Sequence, residues 1–292
     1  MAKTDTAHLA SRFRVTDRHF RIKDVDPADT LGLELKERAD ALLQQGITRL
    51  QDLQERLYAQ DRWSLLLVFQ ALDAAGKDST IKHVMSGVNP QGCAVTSFKQ
   101  PTAEELDHDF LWRCSKRLPE RGYIGIFNRS YYEEVLVVRV HPELLAKQRL
   151  PAKVVTRNIW DDRFRHIRHF EDYLVSQGTA VRKFFLHVSK EVQRQRFLER
   201  IDDPEKNWKF NRGDVEERAH WDEYMRAYEQ ALSATSTAHS PWYVIPADDK
   251  KNARLLVSQA INETLEALEL RYPGLNRARL GELKEARRLL GK

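Results

Sequence analysis

Short apolar runs alternate with longer amphipathic stretches along most of the chain. The runs "SLLLVF" (64–69), "CAVTSF" (93–98), "YIGIFN" (123–128), "VRKFFLHV" (181–188) and "WYVIPA" (242–247) are bounded by polar residues. Buried parallel strands look like this, because both faces are covered. The stretch 31–58 places Leu35, Ala39, Leu42, Leu43, Leu50, Leu53 and Leu57 at helical spacing, with Gly46 denting the pattern. Further helices are expected at 102–118, with Thr102 as cap and Glu105 three residues on, and at 153–174. Others are expected at 190–201, at 214–232 with Asp214 and Glu217 as a capping signature, and at 250–270. Five strands alternating with helices predict a three-layer α/β/α fold around a parallel, doubly wound five-stranded sheet.

Composition narrows the setting. The 292 residues suit one large α/β domain or two small ones, and no internal repeat is present. Residues 1–30 are polar and read as an extension, weakly ordered or packed on a neighbour. Residues 31–292 read as a single domain, and "SATSTAHSP" (233–241) as a surface loop. Charged residues make up 31% and the formal net charge is +5. That excess does not imply nucleic acid, but focused in a groove it suits a polyanion. Two cysteines imply no disulfide framework, and no apolar leader or membrane-length run occurs, so a cytoplasmic protein is expected.

Candidate chemistry sits in three places. "LLLVFQALDAAGKDSTIKHV" (65–84) runs from strand to Gly-Lys turn to helix. It approaches the phosphate-cradling pattern of Gly, four residues, then Gly-Lys-Ser/Thr. Ala71 replaces the first Gly, where a methyl would crowd a positive φ, and Asp78 replaces the hydroxyl. Ala75, Gly76, Lys77, Asp78 and Lys82 are the phosphate-binding candidates there. Asp73 would repel phosphate unless it holds a metal ion. Next, "YIGIFNRSYYEEVLVVRVHPE" (123–143) ends a strand at Asn128, followed by Arg129, Glu133, Glu134 and Arg139. Last, "RQRFLERIDDPEKNWKFNRGDVEER" (194–218) carries Arg200 and Lys209 where a lid at about 198–222 would close. Taken singly, each also reads as ordinary structure: a tight turn, a strand end, a charged hairpin. His166 and His169 share a helix face but read as surface. Trp112, Trp160, Trp221 and Trp242 read as core, and Trp208 as packing or a base-stacking group.

Together these residues resemble the polyphosphate kinase type 2 family, in particular its class III branch. The stretches "LDAAGKDSTIKHVMSGVNPQG" (72–92), "SFKQPTAEELDHDFLWR" (97–113), "GIFNRSYYEEVLVVRVHPE" (125–143) and "RFLERIDDPEKNWKF" (196–210) carry the resemblance, in family order. It implies a P-loop kinase fold similar to thymidylate kinases, with a helical lid. It implies phosphoryl transfer from inorganic polyphosphate to AMP and ADP with Mg²⁺, or Mn²⁺ in its place. The choice between adenine and guanine nucleotides as acceptors is left open by the sequence, and a homo-oligomer, with a tetramer favoured, is the expected assembly. By position, Asp73, Lys77 and Arg129 match the catalytic residues, and Asp73 and Asn128 the metal ligands. Asp73, Asn128, Glu133, Glu134 and Arg139 fall to the nucleotide, and Arg129, Arg200 and Lys209 to phosphate. Class III resembles this chain in having Asn rather than Asp at 128. Two rival readings are an ATP-dependent nucleoside monophosphate kinase and a non-catalytic polyphosphate- or nucleotide-binding module.

Overall fold

The computed structural model describes residues 8–291, with the side chains of 33 and 34 left aside. After two short 3-10 turns, Leu9–Phe13 and Ile22–Asp24, come α1 (Leu33–Gln60), β1 (Ser64–Gln70), α2 (Lys77–Val84) and β2 (Cys93–Ser97). Two short helices follow, α3 (Ala103–Leu106) and α4 (Trp112–Ser115), and then β3 (Ile124–Asn128). A 3-10 turn over Tyr131–Val135 leads to α5 (Val137–Val140), α6 (Glu143–Ala146), α7 (Ile159–Ser176), β4 (Thr179–His187) and α8 (Lys190–Asp202). The remainder is α9 (Arg212–Glu216), α10 (Trp221–Thr235), β5 (Trp242–Pro246), α11 (Lys250–Ala267) and α12 (Arg277–Leu290).

The sheet has the order β2-β3-β1-β4-β5, and every pairing is parallel. Alternate side chains of its strands feed two cores. Leu65, Leu67 and Phe69 pack with Leu50, Leu57, Leu256 and Ile261 on the α1/α11 side. Leu66 and Val68 pack with Phe164, Ile167, Tyr228 and Leu232 on the α7/α10 side. β1 is therefore buried along its whole length, which is why its sequence shows no alternation. Gly46 does not interrupt α1: a Cβ there would come within 2.5 Å of Ser258 Oγ on α11. Its absence lets the two helices approach closely.

Several expected elements differ. The capping box of Thr102 and Glu105 forms, but α3 lasts four residues, because the Asp109 carboxylate accepts from Leu111 N–H at 2.9 Å and turns the chain. The helix expected from 153 starts at Ile159, where Thr156 Oγ1 accepts from Asn158 N–H and Asp161 and Asp162 fill the first turn. The stretch 214–232 divides into α9, a 3-10 turn Glu217–His220, and α10, with Asn211 rather than Asp214 as the cap. Helix α12 was not anticipated. Of the four core tryptophans only Trp242 is fully buried, and Trp112 stacks on His108 at the surface. Of the extension read at 1–30 as weakly ordered or packed on a neighbour, residues 1–7 lie outside the described residues, and within the rest Leu9, Ala10 and Phe13 enter one core, Val15 and Ile22 the other. Val15 N–H donates to Trp242 O at 2.9 Å, along the outer edge of β5.

Candidate active site

Residues 71–76 turn from β1 into α2 at the carboxyl end of the sheet, where doubly wound folds place ligands. Positive φ falls at Ala74 (61°) and Gly76 (101°) and not at Ala71, so the methyl at 71 meets no left-handed strain. Ala74 carries the strain instead, at a cost of roughly 1 kcal/mol. Helix α8 holds it there. Gln193 Nε2 donates to Asp73 O at 2.8 Å, and Arg196 Nη1 to Ala74 O and Ala75 O at 3.3 and 2.9 Å. Arg196 Nη2 donates to Ala247 O and Asp248 O, so one buried guanidinium ties the turn to the loop after β5. Peptides are planar and trans, so drawing three successive carbonyls one way sends the following N–H groups the other way. The N–H of Ala75 is taken by Leu72 O at 3.2 Å. The first-turn N–H groups of α2 have no intrahelical acceptor and face outward at a positive dipole end.

Beside this turn, β3 ends at Asn128 and Arg129 adopts a left-handed φ of 64°, its N–H donating to Phe69 O at 3.0 Å. Arg129 Nη2 meets Asp73 Oδ1 at 2.9 Å, and Nη1 lies 3.5 Å from Glu133 Oε2. Lys77 is buried in the same cluster. Burial, then the Arg129 charge, push its pKa down against Asp73, Glu133 and Asp78. Burial pushes Glu133 up, against Arg129 and Lys77. Glu133, ahead of Asp73, raises the pKa of Arg129. Asn128 Nδ2 donates to Asp78 Oδ1, so the residue in place of the usual hydroxyl is held by the strand-end amide.

A cavity of about 420 Å³ opens from this cluster, lined among others by Lys99, Phe110, Arg113, Arg129, Glu133 and His141. That volume lies in the range of small-ligand sites. Glu134 is on its wall, ion-paired to Arg163 at 2.9 Å and accepting from Gln148 at 2.7 Å. Glu217 closes one side, its Oε2 shared by His141 Nε2 at 3.0 Å and Tyr224 OH at 2.8 Å. Arg139 does not line the cavity: its guanidinium lies over the Trp160 and Phe164 rings.

The segment expected to act as a lid joins α8 to α10. Arg200 Nη1 is 3.6 Å from Asp214 Oδ2, and burial and then Asp73 raise the Asp214 pKa, which places this carboxylate near the phosphate turn. At the lid's base Arg218 donates to Gln193 Oε1 at 2.6 Å. Lys209 and Trp208 lie together in solvent, Trp208 77% exposed.

The structure thus gathers Asp73, Gly76, Lys77, Asp78, Asn128, Arg129 and Glu133, with Glu134 on the cavity wall and Arg200 reaching in through Asp214. Lys82, exposed in the last turn of α2, and Lys209 stand apart from the cluster. Gln193, Arg196, His141 and the site-facing roles of Asp214 and Glu217 were missed. The available signal was a Gln and an Arg at the inward positions of α8, beside Phe197, where an apolar stripe is the norm.

The family model described as Polyphosphate kinase 2 (PPK2) matches residues 34–273. An ADP-polyphosphate phosphotransferase of Rhodopseudomonas palustris is 57% identical over 88% of this chain and 89% of its own. An AMP/ADP-polyphosphate phosphotransferase of Meiothermus ruber is 48% identical over 90% and 95%. The crystal structure of polyphosphate kinase 2 from Arthrobacter aurescens TC1 superposes with a TM-score of 0.85 at 40% identity, covering 95% of this chain and 96% of that one. The chain belongs to the polyphosphate kinase 2 family.

Proposed function

We propose that this protein transfers the terminal phosphoryl group of inorganic polyphosphate to ADP, giving ATP, and to AMP, giving ADP. The observation that carries the reading is the Asp73–Arg129–Glu133–Lys77 cluster between the phosphate turn and the cavity. The acceptors in the names of the two related proteins, ADP for one and AMP/ADP for the other, support both.

In this reading the acceptor occupies the cavity, with its terminal phosphate at Arg129. An ionised oxygen of that phosphate attacks the terminal phosphorus of the chain. The bond to the bridging oxygen breaks, and the shortened chain leaves with the electron pair. The attacking oxygen carries no proton at neutral pH, so no general base is needed. Catalysis then rests on alignment and charge neutralisation. Lys77, Arg129 and the N–H groups at the start of α2 stabilise the equatorial oxygens, and Arg200 and Lys209 close over them with the lid.

Among the described residues no group of three or more His, Cys, Asp or Glu is placed to hold an ion. Asp73 with the Asn128 amide oxygen fits Mg²⁺, or Mn²⁺ in its place, which binds through one or two protein oxygens and completes its shell with water and substrate phosphates. When bound, such an ion supplies positive charge to the phosphate oxygens. Guanine nucleotides, a cytoplasmic homotetramer, and residues 31–292 acting as one domain with a lid at about 198–222 belong to the same proposal. Among the described residues no helix is long and apolar enough to cross a membrane. A donor swap tests the reading: with AMP as acceptor, polyphosphate alone yields ADP and ATP alone does not. Product from ATP alone would transfer the assignment to a nucleoside monophosphate kinase.

A further inference from the structure

Behind the cluster lies a second set of polar groups, of which Tyr131 alone also lines the cavity. Glu171 of α7 and Lys183 of β4 are both fully buried and ion-paired. Every oxygen of Glu171 is occupied. Oε1 accepts from Tyr131 OH at 2.9 Å and Tyr132 OH at 2.8 Å, and Oε2 from Lys183 Nζ and from Ser240 Oγ at 2.8 Å. Lys183 also donates to Tyr132 OH at 3.1 Å and to Thr235 O at 2.8 Å. Replacing this pair by apolar groups would be neutral or stabilising in many folds, so stability alone is a weak account of it.

Its position relative to the chain gives a better account. Tyr131 and Tyr132 are adjacent, and both hydroxyls converge on one oxygen. They open the 3-10 turn Tyr131–Val135, which carries Glu133 and begins two residues after Arg129. Two neighbouring side chains that share one acceptor leave that turn little freedom in pitch or rotation. Arg129, itself left-handed, stands just before the turn and Glu133 within it, and their charged ends lie 3.5 Å apart. Burial and the Glu171 charge raise both phenol pKa values well above the ordinary one, so the hydroxyls stay donors at every working pH. We propose that Glu171, fixed by Lys183, is a positioning residue whose carboxylate, through Tyr131 and Tyr132, sets the separation of Arg129 and Glu133 at the acceptor phosphate. This rests on the site reading above.

The test compares donors to the same carboxylate. Tyr131→Phe and Tyr132→Phe remove hydroxyls from the turn, and Ser240→Ala removes one from the opposite side, on the loop before β5. With polyphosphate and ADP, each Phe variant is expected to lose about tenfold in kcat at saturating polyphosphate, with the KM for ADP raised. All three variants are expected to melt at a lower temperature than wild type, each having lost one hydrogen bond to Glu171, and Ser240→Ala to do so while keeping wild-type kcat. Equal kcat in all three folded variants, or an equal loss in all three, would overturn the proposal. Arg129→Ala is run alongside: if it keeps wild-type turnover, the site reading itself fails, and that outcome is distinct from failure of the inference alone.

Discussion

Arg129 Nη2 and Asp73 Oδ1 meet at 2.9 Å, so the group that would grip the acceptor phosphate and the carboxylate that would hold the ion neutralise each other. A phosphate and its ion together would supply each with a new partner of the right sign. Either alone would leave one charge uncompensated. The pair therefore favours joint occupation of the site. Asp73→Ala is expected to cut kcat by about 10²–10³-fold, the scale of losing one well-placed electrostatic group, with the fold retained in circular dichroism. A variant keeping most of its turnover would remove Asp73 from the mechanism.

Lys77 has opposite effects on stability and activity. Burial gives it a lower pKa folded than unfolded, below the ordinary 10.5. Between the two values the unfolded chain holds more protons, so stability rises with pH. Turnover needs the ammonium, so kcat/KM is expected to fall as pH climbs through the lowered value, before an ordinary lysine would titrate. Lys77→Met is expected to lose activity by about 10²-fold or more while melting at a higher temperature than wild type. A lower melting temperature at neutral pH would contradict the burial argument.

Asn128 donates to Asp78, and an Asp at 128 would set two carboxylates against each other beside the phosphate turn. In the proposed reaction AMP brings its only phosphate to that point. Asn128→Asp is therefore expected to lower kcat/KM for AMP on the order of tenfold more than for ADP, from added like-charge repulsion. An unchanged AMP-to-ADP ratio would show that the amide does not set acceptor choice.

The lid makes two claims measurable. Trp208 is 77% exposed and adjacent to Lys209. Closure over polyphosphate and nucleotide is expected to shift its emission to the blue, read as the difference between wild type and Trp208→Phe. Arg200→Ala is expected to raise the KM for polyphosphate and to flatten its salt dependence, because each lost phosphate contact removes about 0.7 from the log–log slope by analogy with single-stranded nucleic acid. A salt response equal to wild type would place Arg200 off the chain's path.

The sheet was legible because β1, β3, β4 and β5 are buried almost throughout and carry mostly apolar runs, while the edge strand β2, largely exposed, showed only as a short stretch with Val and Thr. The long helices were legible where a stripe persisted, as in α1. The errors came where a side chain competes with the helix for its own backbone, as Asp109 and Thr156 do, and such local bonds leave no periodic trace. That Asp73, Lys77, Asn128 and Arg129 come together was readable from motif order. The concern over Ala71 dissolved because positive φ falls at Ala74, a matter of backbone path that residue identity does not reveal. Arg196 and Gln193 were invisible for a different reason: their partners are carbonyls about 120 residues away.

The most direct measurement mixes the protein with Mg²⁺, inorganic polyphosphate and AMP and follows nucleotides by chromatography. The account predicts ADP first and ATP after it, both absent when polyphosphate is omitted. No nucleotide product with polyphosphate, from AMP or from ADP supplied in its place, would contradict it.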